Sequence, residues 1–408
     1  MGREHKPHAP KIEKIELSER NIKLRWIMVC VLAAIAVIAI LWGVFGSRQK
    51  AGWYTVSSTS AGLHCGHDIL FNYEYGAGEM KAHKEGKELR SLYTTLTEKG
   101  WQLFFNEAGE TQLGNLYRVN SNPNKEVTVD PALYEAFQLF EQKGSRLHYL
   151  GPVYAAYDEV FLSGDELIAA DSDPGQNEEI RQYVLQLAQF ASDPNAIRLE
   201  LRQDCKVLLH VSQDYEAFLQ ENMAEACYLD FGWLRNAIVI DYMAQQLVAN
   251  GFTNGNLTTT DGFSRNLDRR DVSYQLGLFN HREGETEVVA AMAYSAPASA
   301  VYLRTYDSSK ALTFPDGRVV TYMVDIADGQ CKAALPNVVS YSNEAGCAEI
   351  ALQIASGYIS DSFQPEVLNS LTEQGIYSVW FEQQKLCYNQ ADLSVTLQNE
   401  AYTLSPVH

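Results

Sequence analysis

Residues 228–241 read YLDFGWLRNAIVID, an apolar run that meets Gly232 and passes without a gap into a helical pattern. The spacing predicts a strand, a turn at Gly232 and a helix, which is where enzymes often hold a phosphate on free backbone N–H groups. Trp233, Ala237, Ile240, Ala244, Leu247 and Val248 give that helix one apolar face, and Gly251 is a natural stop. Asp230, just before the turn, is a candidate ligand contact at a strand end, where clefts tend to form.

On the N-terminal side, HDILFNYEYG (67–76) alternates like a half-buried strand, and helical spacing follows over 87–99 and 131–143. Between these helices NLYRVNSNPNK (115–125) reads as a polar loop. A helix over 178–191, a hairpin of IRLELR and KVLLHV, and a capped helix beginning SQDY lead up to the opening stretch. Beyond it the pattern turns to strands: VSYQLGLFN, EVVAAMAYS, SAVYLRTY, and RVVTYMVD after the turn Pro315-Asp316-Gly317. Helices over 343–356 and 364–374 precede a last strand, YSVWF. No internal repeat or low-complexity tract interrupts this series, so residues 61–408 are expected to form one α+β domain.

The chain has 408 residues, 46% hydrophobic and 11% aromatic, ample for a large core. Trp26–Phe45 is twenty residues without a charge, the length a helix needs to cross about 30 Å of hydrocarbon. Seven Lys/Arg precede it and only Arg48 and Lys50 closely follow, which predicts a cytoplasmic tail (1–25), a membrane span (26–46), a juxtamembrane segment (47–60) and an extracytoplasmic domain. A cleaved signal peptide fits less well, since the leader is long and no small-residue cleavage site follows.

Removing the tail's seven basic and four acidic residues from the chain's 32 and 51 leaves 25 against 47, a formal charge of −22. That field opposes nucleic acid as a partner. Six cysteines lie beyond the span with wide, irregular spacing and no C-x-x-C pair, which argues against a zinc ribbon or a thioredoxin-like site and leaves disulfide pairing open. His64 and His67 are too few for a metal site by themselves. Glu349 and Gln353, four apart on one helix face, offer oxygen ligands suited to a hard cation or else a solvated polar stripe. Asp325 ends the strand VVTYMVD.

Taken in order, these elements resemble the FAD:protein FMN transferase family, formerly described as thiamine-biosynthesis lipoproteins, from about Cys65 to Tyr358. The family's Leu-Asp-Leu-Gly-Gly-Ile-Ala-Lys-Gly-Tyr-Ala-Val-Asp aligns without a gap on Leu229–Asp241, keeping Leu229, Asp230, Gly232 and Asp241. Its Met-Gly-Thr falls on Cys65-Gly66-His67, and its Ser-x-Leu-Ser-x-Leu-Asn falls on 114–120, keeping Leu116 and Asn120. Its Gly-Pro is Gly151-Pro152. Its His-x-x-Asp-Pro-x-Thr-Gly falls on 322–329, keeping Asp325 and Gly329 while Tyr322 replaces the histidine. The second glycine of the main motif is Trp233 and its lysine is Asn236. The metal-binding Asp and Thr fall on Glu349 and Gln353, and a membrane helix stands in for the lipid-attachment cysteine.

The resemblance implies FAD as substrate or ligand and magnesium as cofactor, with attack by a Thr or Ser hydroxyl of another protein on the FMN phosphorus and loss of AMP. It implies Gly66, Asn120, Asp230, Gly232, Asn236, Asp241 and Tyr322 as FAD contacts, Asp325 as catalytic, and Glu349 and Gln353 as metal ligands. With the lysine, histidine and close-approach glycine replaced together, the expected function is a membrane-anchored homologue with weakened or lost transfer, binding a flavin or a partner in the envelope. The alternative is a divergent but active magnesium-dependent transferase serving an extracytoplasmic flavoprotein.

Overall fold

Nine strands build the main sheet, in the spatial order Gly52–Val56, Ile69–Tyr75, Gly255–Thr259, Phe263–Asn266, Ala298–Arg304, Asn337–Ser342, Tyr377–Glu382, Lys385–Tyr388 and Thr403–Pro406. Every neighbouring pair is antiparallel except the last, Lys385–Tyr388 with Thr403–Pro406, which is parallel. The computed structural model describes residues 31–32, 35, 49–78, 80–106, 113–162, 166–224, 226–270, 273–282, 284–306 and 311–407. Residues 1–50 and 51–408 separate into two units, and the sheet belongs to the second. Apart from Val31, Leu32 and Ile35, which are helical, the expected membrane span lies outside the described residues. Among those described, no helix is long and apolar enough to cross a membrane.

The pleat sorts the core. Val301, Leu303 and Val338 point to one face, where the helices Ala82–Phe104, Arg235–Ala249 and Cys347–Tyr358 join one large apolar cluster. Tyr302, Val339, Tyr341, Val379 and Phe381 point to the other, where they pack with Leu278, Val289 and Met292 of a second antiparallel sheet, Ser394–Leu397, Glu285–Ser295 and Ser273–Arg282. A third sheet joins Glu126–Thr128, Lys206–Val211 and Ile197–Arg202. This is the mixed α+β architecture expected from the sequence.

Most element boundaries fall close to the sequence pattern. The helix Pro131–Gln142 starts on its proline with Asp130 capping Ala132 N, and Gly144 follows with positive φ. Four expectations are corrected. Residues 228–231 form no strand; Gly232–Leu234 is a single 3₁₀ turn that runs into the Arg235–Ala249 helix. Leu116–Asn120 is a short helix capped by Asn115, not loop. RVVTYMVD is a strand only over Val319–Thr321. Three strands follow YSVWF, which is therefore not the last.

Candidate functional site

A cavity of about 390 Å³ opens around Gly232. Its walls come from Phe105 and Asn106 after the Ala82–Phe104 helix, from the first turns of the Gly151–Leu162 helix, from the turn holding Asp261, and from Thr321–Met323. Two glycines bring these walls together. Gly151 lets the helix start press on the chain at Cys227, whose carbonyl oxygen would lie 2.0 Å from an added Cβ. Gly232 has φ +52°, and a Cβ there would meet the Tyr154 ring at 2.4 Å. The close approach that Gly232 permits is therefore to a neighbouring aromatic ring.

Residues 228–231 are held by side chains instead of a strand partner. Asn120 acts as a peptide mimic: its Nδ2 donates to Leu229 O at 2.8 Å and its Oδ1 accepts from Leu229 N at 2.8 Å. Asp230 N donates to the His148 carbonyl. The Asp230 carboxylate accepts from Gly232 N at 2.6 Å and from Arg235 Nη2 at 2.7 and 2.9 Å, so the acid before the turn fixes the arginine after it. The guanidinium lies 4.5 Å from the Phe105 ring centroid. Burial works against its charge, but the Asp230 carboxylate outweighs this and raises its pKa.

Asn236, one residue on, turns away from that pair and donates to Asp261 Oδ2 at 2.8 Å. Across the cavity Tyr322 donates to Asp158 Oδ1 at 3.0 Å and stacks on Phe161. Burial raises the Asp158 pKa, while the Tyr322 hydrogen bond opposes that. Burial, followed by the nearby Asp158 charge, also raises the pKa of Tyr322.

Of the residues singled out in the sequence, Gly151, Asp230, Gly232, Trp233, Asn236 and Tyr322 line this cavity, whereas Gly66, Asn120, Asp241, Asp325, Glu349 and Gln353 lie outside it. Gly66 sits in the Cys65–His67 turn, where its N–H donates to His64 Nδ1 and its Cα packs under that ring. Asn120 is the clamp already described. Both Asp241 oxygens cap the Cys347–Tyr358 helix through Cys347 N (3.0 Å) and Ala348 N (2.9 Å), and Arg265 adds an ion pair at 2.8 Å. Burial still prevails there and raises the Asp241 pKa. Asp325 accepts from Ala327 N and pairs with Lys332 Nζ at 2.9 Å, which places it in a loop network with Asp328 rather than at the cavity.

Glu349 and Gln353 share a helix face, as their spacing requires, but the Lys143 ammonium is paired with the Glu349 carboxylate. The place a divalent cation would take beside Glu349 thus already holds a positive charge. Among the described residues no group of three or more His, Cys, Asp or Glu side chains is placed to hold a metal. With Lys143 against its one carboxylate, this donor set does not fit magnesium.

Residues not anticipated from the sequence are Arg235, Tyr154, Asp158 and Phe105. Arg235 had a detectable signal: a cation next to the position where the family pattern has its lysine. The others reach the cavity through long-range packing, which leaves no local mark.

Comparison with solved structures matches this architecture. The chain is similar to the ApbE protein of Thermotoga maritima, with a TM-score of 0.55 at 10% identity over 80% of this chain and 94% of that one. It is also similar to the flavin transferase ApbE from Vibrio cholerae, with a TM-score of 0.51 at 13% identity over 85% and 97%. This chain has the ApbE fold. No family model and no curated protein matches the sequence. The ApbE fold therefore persists here at an identity where only element order, the Gly232 turn and a few polar anchors stay legible.

Proposed function

We propose that this chain is a flavin-binding homologue of the FAD:protein FMN transferases in which transfer of FMN to a protein hydroxyl is weakened or lost. The observation that carries the reading is the cavity at the Gly232 turn. It is walled by Phe105, Tyr154, Trp233 and Tyr322, side chains suited to a planar ring, while the residues aligned with the family's metal ligands are closed by Lys143. A transferase must neutralise charge at the pyrophosphate and remove a proton from the attacking hydroxyl. The carboxylate aligned with the family's catalytic aspartate, Asp325, is instead paired with Lys332.

The alternative, a divergent working transferase, draws support from the Asp158–Tyr322 pair, which puts a carboxylate and a phenol where the family pattern has its histidine. We also propose that Trp26–Phe45 anchors the chain in the cell membrane with the 61–408 domain outside the cytoplasm, facing a flavoprotein or another envelope partner.

The test is to incubate the purified full chain with FAD, Mg²⁺ and a Thr-bearing acceptor domain, following flavin fluorescence, AMP and covalent flavin on the acceptor. Flavin binding without AMP is the expected result. Metal-dependent AMP release abolished by Glu349→Ala would overturn it in favour of the active enzyme.

A further inference from the structure

We infer that Arg235 is the anion-recognising group of this cavity, and that it binds the phosphate of a phosphorylated ligand directly, with no divalent cation between them. The inference rests on the flavin reading for the identity of the ligand, and on the geometry of the arginine for its phosphate.

The guanidinium has five N–H donors in one plane. Nη2 faces the two Asp230 oxygens, Nε is buried without a partner, and Nη1 makes no hydrogen bond to a described residue. Nε is closed off by the surrounding protein, so the nitrogen available to an acceptor in the cavity is Nη1.

Arg235 is also preorganised. Asp230 fixes one end of the fork, Phe105 lies under its face, and the Gly232–Leu234 turn sets where its Cα–Cβ bond leaves the backbone. Its side chain keeps 29% of its surface exposed, so a ligand in the cavity can reach it. A planar guanidinium matches phosphate oxygens better than an ammonium does, and it needs no metal to do so. The missing lysine at Asn236 is thus answered by an arginine one position earlier, while Asn236 is engaged with Asp261.

The cavity also carries Asp68, Asp158, Asp230 and Asp261 against Arg235 and Arg304. Asp230, Asp158 and Asp261 are already engaged by Arg235, Tyr322 and Asn236.

The experiment measures dissociation constants of riboflavin, FMN, FAD and ADP on the full chain, in EDTA and in Mg²⁺, for the wild type and Arg235→Gln. We expect Arg235→Gln to weaken FMN and FAD roughly 10- to 100-fold and riboflavin less than about 3-fold, with Mg²⁺ changing none of them by more than about 2-fold. Equal losses for riboflavin and FMN, or tightening that requires Mg²⁺, would overturn the inference while leaving flavin binding in place. ADP binding lost in Arg235→Gln, with no flavin bound by the wild type, would keep the arginine's role and remove the flavin reading. Absence of all binding removes both. Should Arg235→Gln fail to fold, Arg235→Lys keeps the counter-charge for Asp230 but not the fork, and the same excess loss for FMN over riboflavin is expected.

Discussion

The two polar corners on either side of the Arg235–Ala249 helix are built from the same residue types and end in opposite states. At its start, Asp230 engages one nitrogen of Arg235 and leaves part of the guanidinium exposed at a cavity. At Asp241 and beyond, the carboxylates are taken up by the protein itself: Arg265 and two backbone N–H groups hold Asp241, and Lys143 holds Glu349, although Arg265 Nε also stays buried without a partner. The difference teaches that a polar residue retained in type need not be retained in use. What decides is whether folding leaves any of its hydrogen-bonding capacity for a ligand.

The open corner depends most on the Gly232 turn. Gly232→Ala adds a Cβ against the Tyr154 ring at a φ that L-residues disfavour, so we expect a loss of about 2–4 kcal/mol in denaturant unfolding. In a Tyr154→Ala background only the backbone term remains, and the added cost should fall to about 1 kcal/mol. A Gly232→Ala cost below about 0.5 kcal/mol in the wild-type background would mean that the turn is not what shapes this corner.

Acid should loosen the same corner before the other. His148, whose carbonyl holds Asp230 N, has both ring nitrogens unpartnered among Phe140, Tyr149 and Phe137, and burial pushes its pKa down from 6.5 to about 3. The unfolded imidazole takes up a proton below about pH 6.5 and the folded one does not until about pH 3. Its contribution is therefore complete above pH 6.5 and is lost as pH falls through that window, with a slope approaching about 1.4 kcal/mol per pH unit, or roughly 2 kcal/mol by pH 5. His148→Phe, which keeps an aromatic ring in the cage, should remove that part of the slope. Identical pH profiles for the two proteins would show that the histidine is not the source.

How much of this was legible in the sequence follows from which interactions are local. The Gly232 turn, its helix and the hairpin Ile197–Arg202/Lys206–Val211 could be read because periodicity and turn chemistry act within a few residues. The supposed strand at 228–231 was misread because an apolar run looks the same whether a sheet or the distant Asn120 amide holds it. The Gly151–Leu162 helix went unpredicted, since Ala155 and Ala156 continue the apolar surface beyond the buried stripe of Val153, Tyr154, Tyr157 and Val160 and leave little amphipathic contrast. At the site, Asp230 was expected and Arg235 was not. Four residues separate them, and only the turn between brings them into contact.

The closed corner gives the smallest effect and the clearest contrast. Lys143 and Glu349 keep 23% and 32% of their side-chain surface, so their attraction is largely screened, and Lys143→Met should cost only about 0.5–1 kcal/mol. It should leave flavin affinity unchanged, because neither residue lines the cavity. Magnesium is the sharper probe. A ligand that binds only the folded chain raises its stability by RT ln(1 + [L]/Kd), so a site with a millimolar constant would add about 1.4 kcal/mol at roughly 10 mM Mg²⁺. We expect no such gain in the wild type, where the ammonium occupies the cation's place, and none in Lys143→Met, where one carboxylate and one amide are too few oxygens to displace the ion's waters. A gain in Lys143→Met alone would identify the lysine as what keeps metal out. A gain in the wild type that Glu349→Gln removes would make the two corners alike and return the magnesium-dependent transferase to first place.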